Sequence, residues 1–282
     1  MRVLVTGSSG FIGRALVLRL AADGHHVLAG GRAAVSDWPS TSGRIEAVRL
    51  ALGGTLPPEV VSGLSVVFHL AHDMTPGNGS LNREGTTAWM EQAREAGVPL
   101  QVYFSSYSAR SDAPSEYGRV KHALERYAQD TIGAVVVRPG LVIGRGGSFG
   151  AMLRLMRQWP IVPVPGGNLQ VFITGLPQLI ERTVGITSAS TREYNIFRRE
   201  PVTLADLLRQ AAAVLSLGTT IVSVPVGISA PLFGAGAIFS RAVRRQAESL
   251  NALRASQSYG YRSTELGEDL PLPALLRSSL ID

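Results

Sequence analysis

The stretch VLVTGSSGFIGRALVLRL (residues 3–20) decides the fold. A short β-prone run leads into Gly7, Gly10 and Gly13, and apolar residues at helical spacing follow the turn. Each glycine has a physical task in a strand–turn–helix unit that receives a dinucleotide. Gly7 permits the tight exit from the strand, Gly10 lets the backbone approach a pyrophosphate, and Gly13 lets the helix pack close to the sheet. The helix N-terminus beyond them offers free N–H groups and a favourable dipole to phosphate. Strand before and helix after supply the context that a bare glycine triplet lacks. The alternative is a purely structural strand–helix turn.

The next strand candidate ends in HVLAGGR (residues 26–32). An acidic residue at this tip would accept hydrogen bonds from the adenosine ribose hydroxyls of NAD. Here the tip is Gly30-Gly31-Arg32, with no carboxylate before Asp37. A missing acid and a guanidinium suit a 2′-phosphate, so NADP is expected over NAD, with Arg32 as its partner. A solvated loop arginine is the plainer alternative.

Outward from this unit, short β-rich runs alternate with helical patterns, the sign of a parallel sheet covered by helices. Strands are expected at residues 2–6, 26–29, 66–70, 101–105 and 134–137. Helices are expected at 11–22, 83–95 and 115–130, closed by Gly24, Gly97 and Gly133. After Gly146 the composition shifts. Pro160, Pro163, Pro165, Gly166 and Gly167 mark a loop-rich segment, and helices at 177–184 and 203–215 then alternate with short strands. The fold class is α/β, a Rossmann-like doubly wound parallel sheet over residues 1–146. Residues 147–282 are expected to form mostly a smaller C-terminal substrate-binding lobe, with some segments returning to the sheet. Such a lobe would lie over the strand ends, where open parallel sheets bind ligands.

With 282 residues, 45% of them hydrophobic, the chain can bury a sizeable core. It contains no cysteine, which excludes disulfides, thiolate metal sites and cysteine nucleophiles, and fits a reducing cytosol. No metal site is expected. The first residues already form a strand pattern, without a basic leader and apolar signal core, so a cytoplasmic location is expected. The formal net charge is +6, but the arginines are scattered and no aromatic-interleaved basic block appears. Nucleic acid is therefore not expected as a partner, and small anionic ligands suit the charge better. Residues 210–240 carry no charge, yet Pro225, Pro231 and four glycines interrupt them. A strand followed by a buried loop and helix is expected there rather than membrane contact. The stretch would then be plain buried core, or the lining of an apolar substrate pocket.

Among the 27 lysines and arginines, only Lys121 is a lysine. It follows Tyr117 in YGRVK, at i and i+4 on an expected helix, so the two side chains share a face. A free tyrosine has a pKa near ~10, and a nearby ammonium stabilises the phenolate, bringing it toward the range useful for proton transfer. A lysine also presents a compact charge and three donors to ribose hydroxyls, which the planar arginine fork does not. A surface helix pair is the alternative. Upstream, QVYFSSYSAR ends an expected strand with Ser105 and Ser106, eleven residues before the tyrosine. A serine hydroxyl there can hold a carbonyl oxygen beside the phenol.

In combination, TGSSGFIG, VVFHLAH, NREGTTAWMEQAREAGV, VYFSS, YGRVK and RPGLVIG resemble the short-chain dehydrogenase/reductase superfamily and, within it, the extended epimerase/dehydratase-like branch. The pieces run in family order over most of residues 1–147, and YNIFRREPVTLADLLRQ looks like the family's second-lobe strand and helix. The resemblance implies a catalytic triad of Ser106, Tyr117 and Lys121. Tyr117 would be acid or base on the substrate oxygen, Lys121 would lower its pKa and hold the nicotinamide ribose, and Ser106 would polarise the carbonyl. It also implies Gly7, Ser9, Gly10, Phe11, Ile12 and Gly13 at the pyrophosphate, Leu70 and Ala71 along the cofactor, and Pro139 after the strand beside the nicotinamide. Hydride transfer itself belongs to the cofactor. A homodimer through the helices at 83–95 and 115–130 is a further implication.

Several positions depart from that pattern. Ala51 or Leu52 stands where the family often has an adenine-contacting Asp, and the segment between Ser106 and Tyr117 is short. Tyr107-Ser108 replaces the Asp-Glu of sugar-nucleotide 4,6-dehydratases, so that dehydration is not expected. Gly175 replaces an acid in the second lobe, which weakens the case for a nucleotide-sugar substrate. His72, Ser108 and Arg145 are candidates for the substrate mouth, against a structural or solvated role. The leading expectation is an NAD(P)-dependent oxidoreductase that reduces a carbonyl or oxidises the matching alcohol of a small metabolite. The alternatives are an epimerase of a (nucleotide-)sugar with tightly bound NAD, and a non-catalytic NADP-binding sensor or assembly protein.

Overall fold

The computed structural model describes residues 1–33, 37–186, 191–224 and 270–281. From residue 225 onward the uncharged stretch, with its expected loop and helix, lies outside the described residues.

The first half of the chain runs β1 (Arg2–Thr6), α1 (Phe11–Ala22), β2 (His26–Gly31), β3 (Ile45–Arg49), α2 (Pro58–Val61), β4 (Val66–His69), α3 (Gly79–Glu95), β5 (Leu100–Phe104), α4 (Glu116–Tyr127), a π-helical turn (Ala128–Ile132) and β6 (Val135–Pro139). It continues with β7 (Leu141–Ile143), α5 (Gly147–Gln158), β8 (Ile161–Pro165), β9 (Gln170–Val171), β10 (Ile173–Gly175), α6 (Leu176–Val184), β11 (Glu193–Ile196), β12 (Val202–Thr203), α7 (Leu204–Val214), β13 (Thr220–Val224) and a final described helix at Leu272–Leu280. Seven strands form one sheet in the order β11-β6-β5-β4-β1-β2-β3, and every pairing from β3 across to β6 is parallel. This is a Rossmann-like α/β fold. The order reverses at β1, which has β2 on one side and β4 on the other, so the end of β1 opens at a topological switch point.

Local chemistry explains where these helices stop. Gly24 at φ +84° closes α1: its N–H reaches Ala21 O at 3.0 Å, and His25 N–H reaches Leu20 O at 3.1 Å. Only a left-handed residue permits that double closure, which satisfies two orphan carbonyls. The same motif ends α3 at Gly97. The helix expected at 115–130 is α-helical only to Tyr127. Its last turn widens, and Ala134 N–H bonds Ala128 O at 2.7 Å across Gly133.

Two compact units result. The first takes residues 1–112, 116–138 and 180–194. One of its core clusters joins Leu4, Leu28 and Val67 of the sheet to Val60, Val61 and Trp89 of α2 and α3. The second takes the described residues of 113–115, 139–179 and 195–282. Its core joins Phe149, Met152, Leu153 and Met156 of α5 to Leu204, Leu207, Leu208 and Ala211 of α7 and to Leu275 and Leu276 of the final helix. The segment expected to be loop-rich contains β8, despite Pro163 and Pro165. Among the described residues it pairs only with β13, in a two-stranded ribbon where one edge needs no N–H donors.

Candidate active site

β1 ends at Thr6, and Gly7 turns the chain at φ +71°. A Cβ at Gly7 would lie 2.9 Å from Ala71 N, and one at Gly13 would lie 2.2 Å from Gly7 O. The turn, the segment after β4 and the first turn of α1 are thus packed at backbone contact. Thr6 Oγ1 holds that segment by accepting from Leu70 N–H at 3.1 Å and Ala71 N–H at 3.2 Å. Gly10 is the N-cap of α1, no side chain caps it, and no acidic residue occupies the first turn. The N–H groups of Phe11, Ile12 and Gly13 have no intrahelical acceptor at these positions. An uncapped helix end reached through a glycine-rich turn fits a pyrophosphate, so the residues present fit a dinucleotide. Ser9 is exposed, and its Oγ would lie 3.7 Å from a Cβ at Gly31. Arg32, the first residue beyond β2, is exposed and pairs with Asp73.

A second cluster forms where β5 leads into α4. Ser106 Oγ lies 2.9 Å from Ser108 Oγ, accepts Ser108 N–H at 3.2 Å, and is hydrogen-bonded to the Tyr117 side chain. The His72 ring meets the Tyr117 ring edge-on, with centroids 5.0 Å apart. Lys121 Nζ lies 5.9 Å from the Tyr117 ring centroid and 4.9 Å from that of Tyr103, and donates to Phe104 O at 2.6 Å. Ser106, Ser108, Tyr117, Lys121 and His72 therefore gather within the first unit. Arg145 belongs to the second unit, where it donates to Leu280 O at 2.8 Å and Ile281 O at 3.5 Å, carbonyls at the end of the final helix. Pro139 is the last residue of β6.

The electrostatics differ from the sequence expectation. Burial pushes the Tyr117 phenol above its ordinary value, with the Ser106 hydrogen bond opposing it. Burial also lowers Lys121 from 10.5 to about 7. An ammonium was expected to bring the phenol down. A desolvated lysine holds its own proton weakly, however, and a desolvated phenolate is costly, so burial of both groups wins. His72 is pulled down to about 3 by burial and then by the Lys121 charge, against the pull of Asp73. Its buried Nδ1 has no hydrogen-bond partner.

A polar network beneath α4 escaped the sequence analysis. Ser105 Oγ donates to Glu125 Oε2 at 2.6 Å, Glu125 pairs with Arg138, and Arg138 reaches Glu193 at 2.8 Å. Glu125 lies one helical turn beyond Lys121, so the network ties the helix carrying Tyr117 and Lys121 to β6 and to the Ser105–Ser106 turn. The available signal was an arginine inside the apolar run VVVRP. Asn82, buried in α3, was missed as well. It accepts Asp73 N–H at 2.7 Å and donates to Asp73 O at 2.8 Å. Among the described residues, no group of three or more His, Asp or Glu is placed to hold a metal, and no helix is long and apolar enough to cross a membrane.

A Rossmann-like sheet with this glycine turn defines a dinucleotide-dependent enzyme. Residues 3–159 match the NAD dependent epimerase/dehydratase family, and the chain belongs to that family. It is 35% identical over 136 residues to UDP-glucose 4-epimerase of Mycolicibacterium smegmatis, a match covering 42% of each chain. It is 27% identical over 237 residues to ceramide reductase of Caulobacter vibrioides, covering 79% of this chain and 73% of that one. The solved structure of MoeE5 in complex with UDP-glucuronic acid and NAD is similar at a TM-score of 0.67 and 26% identity, over 80% of this chain and 86% of that one.

Proposed function

We propose that the chain is an NAD(P)-dependent oxidoreductase that reduces a carbonyl of a small metabolite, or oxidises the matching alcohol, with Tyr117 as the proton-transferring group. The observation that carries this reading is the convergence of Ser106, Tyr117 and Lys121 in the unit whose β1–α1 turn fits a dinucleotide. The cofactor, when bound, supplies or accepts the hydride. Ser106, with Ser108 beside it, would hold the substrate oxygen. Tyr117 is a neutral phenol at neutral pH and burial raises its pKa further, so it is set to give a proton to an oxygen gaining negative charge. The charge of Lys121 would stabilise the phenolate left behind. His72, against the Tyr117 ring with a free Nδ1, is assigned to the substrate side. Arg32, with no acid at the tip of β2, supports NADP over NAD. A homodimer through α3 and α4 and a cytoplasmic location belong to the same proposal, the first checked by light scattering and the second by cell fractionation.

Tyr117→Phe tests the mechanism by removing the hydroxyl and keeping the ring. NADPH oxidation across a carbonyl panel should fall by about a hundredfold or more, while NADPH binding, followed by fluorescence quenching, persists. Undiminished turnover in Tyr117→Phe would sink the mechanism. The likeness to an epimerase favours a second reading, in which a tightly held NAD is returned to its starting state in each cycle. Native mass spectrometry separates the two: an epimerase co-purifies with its dinucleotide, whereas a reductase consumes NADPH stoichiometrically.

A further inference from the structure

The Arg32–Asp73 ion pair stands at the switch point of the sheet. Arg32 follows β2, Asp73 follows β4, and β1 runs between those strands, so the 3.3 Å contact bridges across the end of β1. Its partners are unequal. Asp73 is fixed through its backbone by buried Asn82, at 2.7 and 2.8 Å, and its Oδ1 accepts Thr75 N–H at 2.8 Å, leaving Oδ2 toward the guanidinium. The Asp73 side chain is 17% exposed, whereas that of Arg32 is 80% exposed. The arginine is the part that can swing away; the carboxylate stays.

We infer that Asp73 is a specificity-determining residue that competes with the cofactor's 2′-phosphate for Arg32, and so sets how strongly NADPH is preferred over NADH. The inference rests on the reading of Arg32 as the 2′-phosphate partner. To engage the arginine, a phosphate must draw it from a fixed carboxylate. That carboxylate then remains well within a Debye length of the phosphate and repels it. A cofactor with a ribose hydroxyl meets neither cost. Exposed ion pairs contribute modestly, so the expected effect is about fivefold in affinity rather than orders of magnitude.

The experiment measures dissociation constants for NADPH and NADH by titration calorimetry on the full chain, with Asp73→Asn, Arg32→Ala and the double variant. Asn removes the charge but keeps an oxygen to accept from Thr75 N–H. Asp73→Asn should tighten NADPH about fivefold, leave NADH nearly unchanged, and lose its effect on the ratio when Arg32 is already alanine. If Arg32→Ala lowers the NADPH preference while Asp73→Asn leaves the ratio unaltered, the Asp73 role is overturned and the Arg32 reading survives. If Arg32→Ala leaves the ratio unaltered, the Arg32 reading fails and takes the inference with it. NADH affinity in the same preparations reports an intact site. Should Asp73→Asn lose NADH binding, Asp73→Ser, which also preserves a turn acceptor, must raise the NADPH-to-NADH preference; an unchanged or lowered preference overturns the proposal.

Discussion

Replacing Lys121 with methionine separates what the buried lysine does to stability from what it does for chemistry. The residue is 4% exposed, and its ammonium has a 2.6 Å hydrogen bond to Phe104 O. Burial lowers its pKa from 10.5 to about 7. Because the folded value lies below the unfolded one, the unfolded chain binds more protons between these values, and stability rises with pH across that window. Below it, lysine is charged in both states and the full penalty applies. At about 1.36 kcal/mol for each tenfold change, that penalty is ~5 kcal/mol, and by about pH 9.5 it has shrunk to ~1 kcal/mol. Methionine has similar length and no charge, but forfeits a hydrogen bond worth about 1 kcal/mol. Lys121→Met should therefore be more stable than wild type by roughly 4 kcal/mol near about pH 6, with almost no advantage near about pH 9.5. Urea unfolding of both proteins across this pH range, followed by circular dichroism, measures the difference, and titrating groups not coupled to Lys121 cancel in the comparison. An advantage independent of pH would show that Lys121 does not titrate in this window and would refute the argument. The stabilised variant should also lack turnover.

Three further outcomes follow from packing and charge. Gly13→Ala puts a Cβ 2.2 Å from Gly7 O and should lower the melting temperature sharply, whereas Gly10→Ala meets the same oxygen at 3.1 Å. The second variant should keep most of its thermal stability yet bind dinucleotide about tenfold more weakly, because the added methyl occupies the pyrophosphate approach. Glu125→Ala leaves the buried guanidinium of Arg138 without its nearest carboxylate and should cost about 3–5 kcal/mol by chemical denaturation; replacing both residues with apolar ones should recover much of the loss. His69 is 2% exposed, and burial pulls it from 6.5 to about 4 against its hydrogen bond with Gln101. The unfolded chain binds the extra proton between those values, so stability should fall by ~3 kcal/mol as pH drops through that window, and His69→Gln should flatten this part of the profile.

The parts legible in the sequence are those whose signals are local. The strand at 2–6 and the helix at 11–22 stand as expected, because the glycine turn and Gly24 mark their limits within a few residues. Helix α5 was legible in principle, since Phe149, Met152, Leu153 and Met156 have helical spacing, but no element was expected before the prolines that follow it. The Glu125–Arg138 pair was not legible. Its partners belong to a helix and a strand, and only the packing of α4 on β6 brings them together. The convergence of Ser106 with Tyr117 was readable, but the direction of the tyrosine's pKa shift was not. Spacing places an ammonium near a phenol, while the direction depends on how much water both groups lose.

The same comparison explains why a chain that uses arginine elsewhere has a lysine at 121. Arginine cannot shed its proton, so at this position it would impose a full buried charge at every pH, with Phe104 O as a neutral acceptor. Lysine can exist there partly neutral, because its pKa is about 7. At neutral pH the site then holds a neutral phenol beside a partly charged amine, and it avoids the cost of either isolated charge. When Tyr117 surrenders its proton, the phenolate raises the affinity of Lys121 for one, so the second group gains charge as the first becomes negative. The two titrations are coupled, and a pH–rate profile reports the pair rather than either residue. That response needs a cation able to gain and lose its proton near neutrality, a requirement that lysine meets and arginine does not.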